Sequence, residues 1–169
     1  GARGVTVWAM GDLEAAGGLA SAARIAAADS AVERVFICTP DKVLSQCVVD
    51  DRVVQFDRRK REIRDAAGVV AKFGVEPASI PDYLALVGDA ADGYPGVPGW
   101  GAKAAATVLA RFLHLEAIPA DPSAWELPVR GAARLAESLA TRMEDARLFR
   151  TLATLVTDAP LLDTVDTLR

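Results

Sequence analysis

The chain has 169 residues and a mass of 17.8 kDa, with 51% hydrophobic and 25% charged residues and a formal net charge of −4. This composition excludes a disordered chain, and the length is enough for one domain with a sizeable core. No apolar run approaches the ~20 residues of a membrane span, and the acidic balance means that any nucleic-acid contact has to be local rather than driven by bulk charge.

In chain order, VTVWAM (5–10) alternates and reads as a strand, entered so abruptly that it looks cut from something longer. With no secretory h-region before it, a reducing cytoplasm is the expected location. Residues 13–28 have helical composition, yet Gly17 and Gly18 sit in the first turns, where each costs roughly 1 kcal/mol relative to alanine. RVFICT (34–39) reads as a short buried strand, which makes Cys38 a buried free thiol; Cys38 and Cys47 alone make neither a disulfide framework nor a zinc site. A helix start at Pro40-Asp41-Lys42 follows. Residues 48–57 then read as a hairpin-like strand pair around Asp50-Asp51.

Alternating strands and helices imply an α/β unit with a parallel-type central sheet over residues 1–60. Residues 61–169 read as a helical part packed on it as one structural unit. EIRDAAGVVAKFG forms a helix ending on Gly74. IPDYLALVGD starts with proline in its first turn, GAKAAATVLARFL carries an apolar side, and residues 131–156 are helical by pattern. DPSAWELP is a proline-bounded connector.

The segment GDAADGYPGVPGWGAK (88–103) has more glycine and proline than a plain turn needs. Glycines at 96, 99 and 101 remove Cβ atoms where a ligand backbone could approach. The N-terminus of the following helix, with Lys103, offers an anion site. This reads as a phosphate-contacting hairpin, with a tight structural helix hairpin as the alternative. It is no P-loop, since the GK[ST] end is missing and a helix precedes it. Asp89 and Asp92 can face one point, Asp41 follows the end of a strand, and Glu14 follows the first strand. Four carboxylates of this kind suit a hard cation such as Mg²⁺ or Mn²⁺. RRKREIR (58–64) concentrates five of the 19 Lys and Arg residues; Arg58, Arg59 and Lys60, with Lys42, are further candidate contacts to a DNA backbone, the plainer reading being a solvated loop and helix start. His114 is the only histidine, so a Ser-His-Asp mechanism has no support, and it is expected to cap or pack a helix end. Trp8, Trp100 and Trp125 read as core or rim, with base stacking as the alternative for Trp100 alone, because it sits inside the turn.

Taken together, TPDK, the FDRRK strand end, KFGV-P-IPDYLALVGD-AD-PGVPGWG-K and the terminal LATLVTD-PL resemble the 5′-nuclease family over about residues 5–162. That family comprises bacterial 5′–3′ exonucleases, the 5′-nuclease domain of DNA polymerase I, and flap endonucleases. The resemblance implies a PIN-like α/β core followed by a helix-3-turn-helix (helix-hairpin-helix-like) element that grips duplex DNA by its backbone. It also implies metal-dependent phosphodiester hydrolysis near 5′ ends, flaps or junctions. Glu14, Asp41, Asp89 and Asp92 match metal ligands. Gly96, Val97, Gly99, Trp100, Gly101 and Lys103 match the DNA-gripping turn, which in the family also binds K⁺ through carbonyls. A monomer acting on double-stranded or flapped DNA, with no membrane partner, is expected.

The chain departs from the pattern at specific positions. Where the family has E-A-D-D, Glu14 is followed by Ala15, Ala16 and Gly17; where it has D-K-D, Asp41 and Lys42 are followed by Val43; and Ala90 replaces a serine. The family's N-terminal section, with its early metal-binding Asp and its basic gateway, lies outside this sequence. Three lost carboxylates imply an impaired nuclease, or a DNA-structure-binding module that does not cut. The glycines at 17 and 18 then fall where function once set the residue choice.

Overall fold

The structure is a computed structural model and describes residues 5–11, 13–161 and 165–168. It divides into two compact units, Gly1–Asp65 with Leu155–Arg169, and Ala66–Thr154. The boundary thus follows Asp65 rather than residue 60, because residues 62–64 belong to the first unit's sheet.

In the first unit, α1 (Ala15–Ala28) precedes a three-stranded sheet of β1 (Val35–Ile37), β2 (Val53–Asp57) and β3 (Glu62–Arg64). β1 pairs parallel to β2, through a 3-10 turn over Lys42–Cys47, and β2 pairs antiparallel to β3. The sheet is therefore mixed rather than parallel. The residues EIR, expected to open a helix, form β3 instead. Asp57 explains why: its Oδ1 accepts from the backbone N–H groups of Arg59 (2.9 Å) and Lys60 (3.1 Å), closing a tight turn that folds the basic run back onto β2. The same N–H groups, that of Lys60 foremost, hold the Asp57 carboxyl below its usual pKa.

Residues 5–10 form no strand; Val5 and Val7 are 63% and 75% exposed, so their alternation has no buried face to serve. Cys38 is exposed, not buried: it lies beyond the end of β1, one step past buried Ile37, so it shares the outward side with Phe36. Cys47 is half-buried, and burial pushes its thiol up to about 11. The tight spacing around 49–53 is an isolated antiparallel bridge, Val49 with Val53, rather than a strand pair. Gly17 and Gly18 are buried on α1; a Cβ added at Gly18 would lie 3.0 Å from the Met10 side chain, so close packing gives Gly18 a structural reason, whereas one at Gly17 would make only ordinary contact with Val156 at 3.7 Å. The C-terminal end of α1 is fastened by Arg52, whose guanidinium donates to the carbonyls of Ala27, Asp29, Val32 and Glu33.

The second unit is helical: α2 (Ala66–Phe73), α3 (Ile80–Val87), α4 (Ala102–Phe112), α5 (Ala132–Thr141) and α6 (Met143–Ala153). α2 ends on Gly74 at φ 75°, as expected of a glycine past a helix C-terminus. α3 is its axis. Every residue from Ile80 to Leu86 is buried, and the helix packs on α4 and α6. Asp82 is buried within it. Its oxygens accept from the Leu115 N–H (3.2 Å) and from Arg150 Nη1 (3.1 Å), and His114 Nδ1 lies 2.9 Å away. His114 thus braces the segment after α4, in keeping with a helix-end role. Arg150 also forks onto Glu116 at 2.6 and 2.7 Å, which draws Glu116 down to about 2. Trp125 is fully buried, and its Nε1 donates to the Pro119 carbonyl. Among the described residues no helix is long and apolar enough to cross a membrane.

Candidate nucleic-acid interface

The turn between α3 and α4 is built from the backbone outward. Gly88 ends α3 at φ 82°, and its N–H donates to the Leu84 carbonyl at 2.8 Å. Asp89 and Tyr94 then exchange backbone hydrogen bonds at 2.9 and 3.1 Å, pinching off residues 90–93 as a small loop. The Val97 N–H reaches back to the Leu86 carbonyl at 2.9 Å, which lays the second half of the turn against the end of α3. This close return is possible only with glycine. A Cβ on Gly96 would lie 2.4 Å from the Gly88 nitrogen, and one on Gly88 would lie 2.5 Å from the Pro95 carbonyl carbon.

Gly96 is therefore needed by the chain itself, which corrects its reading as a gap left for a ligand. Gly101 is different: a Cβ there would meet nothing within 4 Å, so the surface in front of it is open. Val97 and Trp100 are buried as well, at 3% and 5% exposure. The Trp100 indole donates to the Leu135 carbonyl at 3.1 Å and tilts against Trp125 with ring centroids 6.0 Å apart. Trp100 is a core anchor of the turn, not a stacking platform, because its ring fills the space between the turn and α5. Ser138 adds a second tie by donating to the Pro98 carbonyl at 2.7 Å.

What the turn presents outward is Pro95, Pro98, Gly99 and Gly101, followed by exposed Lys103 in the first turn of α4. No side chain caps α4, so its first N–H groups are free to meet an anion in the field of the helix dipole. The N-terminal end, the lysine and the missing Cβ atoms converge on one face.

The acidic residues are less well assembled. Asp89 is 3% exposed, and its Oδ1 accepts from the Ala91 N–H at 3.1 Å; it borders a cleft of about 500 Å³ with Gly88, Ala90, Gly93 and Pro95. Asp92 is exposed in the small loop. Glu14 and Asp41 belong to the other unit and are exposed. Glu14 stands at the N-terminus of α1 without capping it, whereas Asp41 accepts from the Val43 N–H at 3.1 Å. The Asp41 backbone is held by a buried polar network that sequence patterning missed. Gln55 donates to the Asp41 carbonyl, while Ser45 (3.0 Å) and Arg64 (2.9 Å) donate to Gln55 Oε1. The only sign in sequence was a Gln inside an apolar strand. Among the described residues no three His, Cys, Asp or Glu side chains could hold a metal ion together. Ala15 and Ala16 offer no donor atoms, and Gly17 and Val43 are buried. These four positions therefore supply no side-chain ligand to a cation. Lys42 is half-buried, while Arg58, Arg59 and Lys60 are exposed on the β2–β3 turn.

Residues 75–169 match the family described as 5′-3′ exonuclease, C-terminal SAM fold. The chain is 44% identical over 85 residues to a 5′-3′ exonuclease of Aquifex aeolicus, covering 50% of this chain and 29% of that protein. It is 37% identical over 131 residues to a DNA polymerase I of Pseudomonas aeruginosa, covering 72% of this chain and 14% of the polymerase. The chain thus spans less than a third of either relative. Its fold is similar to that of bacteriophage T5 5′-exonuclease with bound divalent zinc ions, at a TM-score of 0.71 and 22% identity, covering 95% of this chain and 58% of that one. It is likewise similar to a T5 flap endonuclease in a pseudo-enzyme–product complex with DNA and metal ions, at a TM-score of 0.69 and 19% identity, covering 95% of this chain and 59% of that one.

Proposed function

The chain belongs to the 5′–3′ exonuclease family, and from that premise we propose that it binds duplex DNA near a 5′ end, flap or junction and cuts it poorly or not at all. The binding element is residues 80–112, acting as a helix-3-turn-helix: the phosphate backbone lies against Gly99 and Gly101, Lys103 and the free N–H groups of α4. The observation that carries the reading is the rigid turn, braced by Val97, Trp100 and Ser138, with its open glycine and its lysine facing outward. Carbonyls of the same turn would accept K⁺, and Arg58, Arg59, Lys60 and Lys42 would add contacts on the first unit. Recognition by phosphates alone makes binding independent of sequence and steeply salt-dependent. In fluorescence anisotropy with a 5′-flapped duplex, Lys103→Glu is expected to weaken binding several-fold. Equal affinity for the variant would remove the hairpin from the interface.

The poor-nuclease half rests on the missing donors at 16, 17 and 43. Asp89, Asp92, Glu14 and Asp41 would be the remaining ligands for Mg²⁺ or Mn²⁺. Residual activity has one observation in its favour, the buried Asp89 at the edge of its cleft. A 5′-flap cleavage assay separates the two readings: Mn²⁺-dependent cleavage that disappears with Asp89→Ala overturns the non-cutting one. Restoring carboxylates through Ala16→Asp, Gly17→Asp and Val43→Asp is expected to raise Mn²⁺ affinity, measured by calorimetry on a variant shown folded by circular dichroism. No gain would mean that these positions do not belong to the cluster.

A further inference from the structure

Two grooves of the second unit meet at one residue. The larger, about 660 Å³, is lined by Pro98 and Gly99 of the turn and by Arg130, Arg134, Ser138 and Arg142. The smaller, about 480 Å³, is lined by Gly101, Lys103 and Thr107 with Pro128 and Arg130. Arg130 borders both, so the grooves adjoin there and together mark a path from the turn toward α5.

Three of the cations along this path, Lys103, Arg130 and Arg134, are uncommitted, while Arg142 is paired with Asp145. Arg130, Arg134 and Lys103 are exposed, and among the described residues none of the three side chains has a hydrogen-bond or ion-pair partner. The other arginines of the same unit are all paired: Arg111 with Glu126, Arg142 with Asp145, Arg147 with Glu144, and Arg150 with Asp82 and Glu116. In a chain of net charge −4, three free cations in a row are a local exception. Glu137 is the acidic residue lining the larger groove.

The path is also rigid with respect to the turn. Leu135 accepts from Trp100, Ser138 donates to Pro98, and a Cβ on Gly99 would stand 3.6 Å from the Leu135 side chain. Arg134 immediately precedes Leu135, so its position is fixed relative to the surface around Gly99 and Lys103. Leu135, Val129, Pro128, Ala102 and Ala104 contribute apolar lining, and what favours a polyanion is the set of exposed, unpaired cations above it.

We infer that Lys103, Arg130 and Arg134 form a continuous phosphate track along which one strand of duplex DNA extends beyond the turn onto α5. The inference rests on the proposed DNA-binding role of the turn and lengthens its footprint. Each phosphate neutralised by a basic side chain contributes about 0.9 to the slope of log affinity against log salt. Loss of two contacts should therefore lower that slope by about 2 and weaken binding at low salt at least about tenfold.

The test is a salt titration of duplex binding by anisotropy for the whole chain, Lys103→Glu, Arg130→Ala/Arg134→Ala and Arg130→Lys/Arg134→Lys. Circular dichroism checks that each variant is folded; both arginines are exposed, so folding should be unaffected. The expected result is a reduced slope for the double alanine variant and a retained slope for the double lysine variant, since Lys serves a phosphate as a point charge. An unchanged slope and affinity for the alanine pair, with Lys103→Glu still impaired, overturns the track and leaves the hairpin reading standing. A lysine pair as weak as the alanine pair also overturns it, because the contact would then not be one of charge. Salt-independent or absent duplex binding by the unaltered chain overturns both.

Discussion

The turn at 88–103 and the carboxylate-bearing segments at 14–17 and 41–43 have kept different things. In the turn, shape and chemistry survive together: glycines where the backbone doubles back, buried anchors behind it, and a free lysine in front. In the first unit two carboxylates stand among positions without donor atoms, Ala15, Ala16, Gly17 and Val43. Asp41 is still held by a buried Gln55–Arg64 network, yet the next position that could add a carboxylate is a valine turned into the core. The difference teaches that a buried polar network can fix a loop's backbone whatever side chains the neighbouring positions carry. A backbone grip persists only while its glycines do, since their role is geometric.

The comparison can be broken most forcefully from within the second unit. Asp82→Ala removes the buried acceptor of the Leu115 N–H and one of the two carboxylates on Arg150, which keeps Glu116. A loss of about 3 kcal/mol in urea unfolding is expected. A loss below 1 kcal/mol would mean that the frame holding α3, and so the turn, does not depend on it. Gly96→Ala comes next. It forces a Cβ to 2.4 Å from the Gly88 nitrogen at φ 75°, and should cost roughly 2–3 kcal/mol and abolish duplex binding.

Gly101→Ala sharpens the contrast, since its φ is −98° and its Cβ meets nothing. Stability should change by less than about 0.5 kcal/mol while duplex affinity falls; a stability loss with affinity intact would reverse the roles assigned to the two glycines. Asp41→Ala is expected to cost only about 1 kcal/mol, the value of a capping contact, with no effect on duplex binding by the second unit.

The smallest effect concerns pH. Glu116 is lowered from 4.5 to about 2 by Arg150, so its folded form binds its proton less readily than the unfolded chain. Its contribution is therefore present above pH 4.5 and lost as pH falls from 4.5 toward 2. Because its side chain is 45% exposed, solvent screens most of it. Glu116→Gln should flatten the decline of Tm between these values slightly, and an unchanged decline would assign acid sensitivity to other groups.

Much of this was legible in the residues. The helices at 15–28, 80–87 and 102–112, the terminator Gly74 and the turn between α3 and α4 follow from periodicity, capping and glycine-proline content, all of which act over a few neighbouring residues. Other features depend on partners distant in sequence. Residues 62–64 become a strand because the Asp57 turn presents them to β2, and residues 5–10 alternate without forming a ladder. Cys38 faces outward because the alternation along β1 buries Ile37 and leaves the side of Phe36 exposed. Whether Trp100 met a base or a core was decided by α5 arriving 35 residues later to accept its N–H. The sequence by itself determined the shape of the grip, through glycines whose backbone angles no other residue adopts cheaply. Only the tertiary structure decided what faces outward from it, because burial is a property of the partner surface and not of the residue buried.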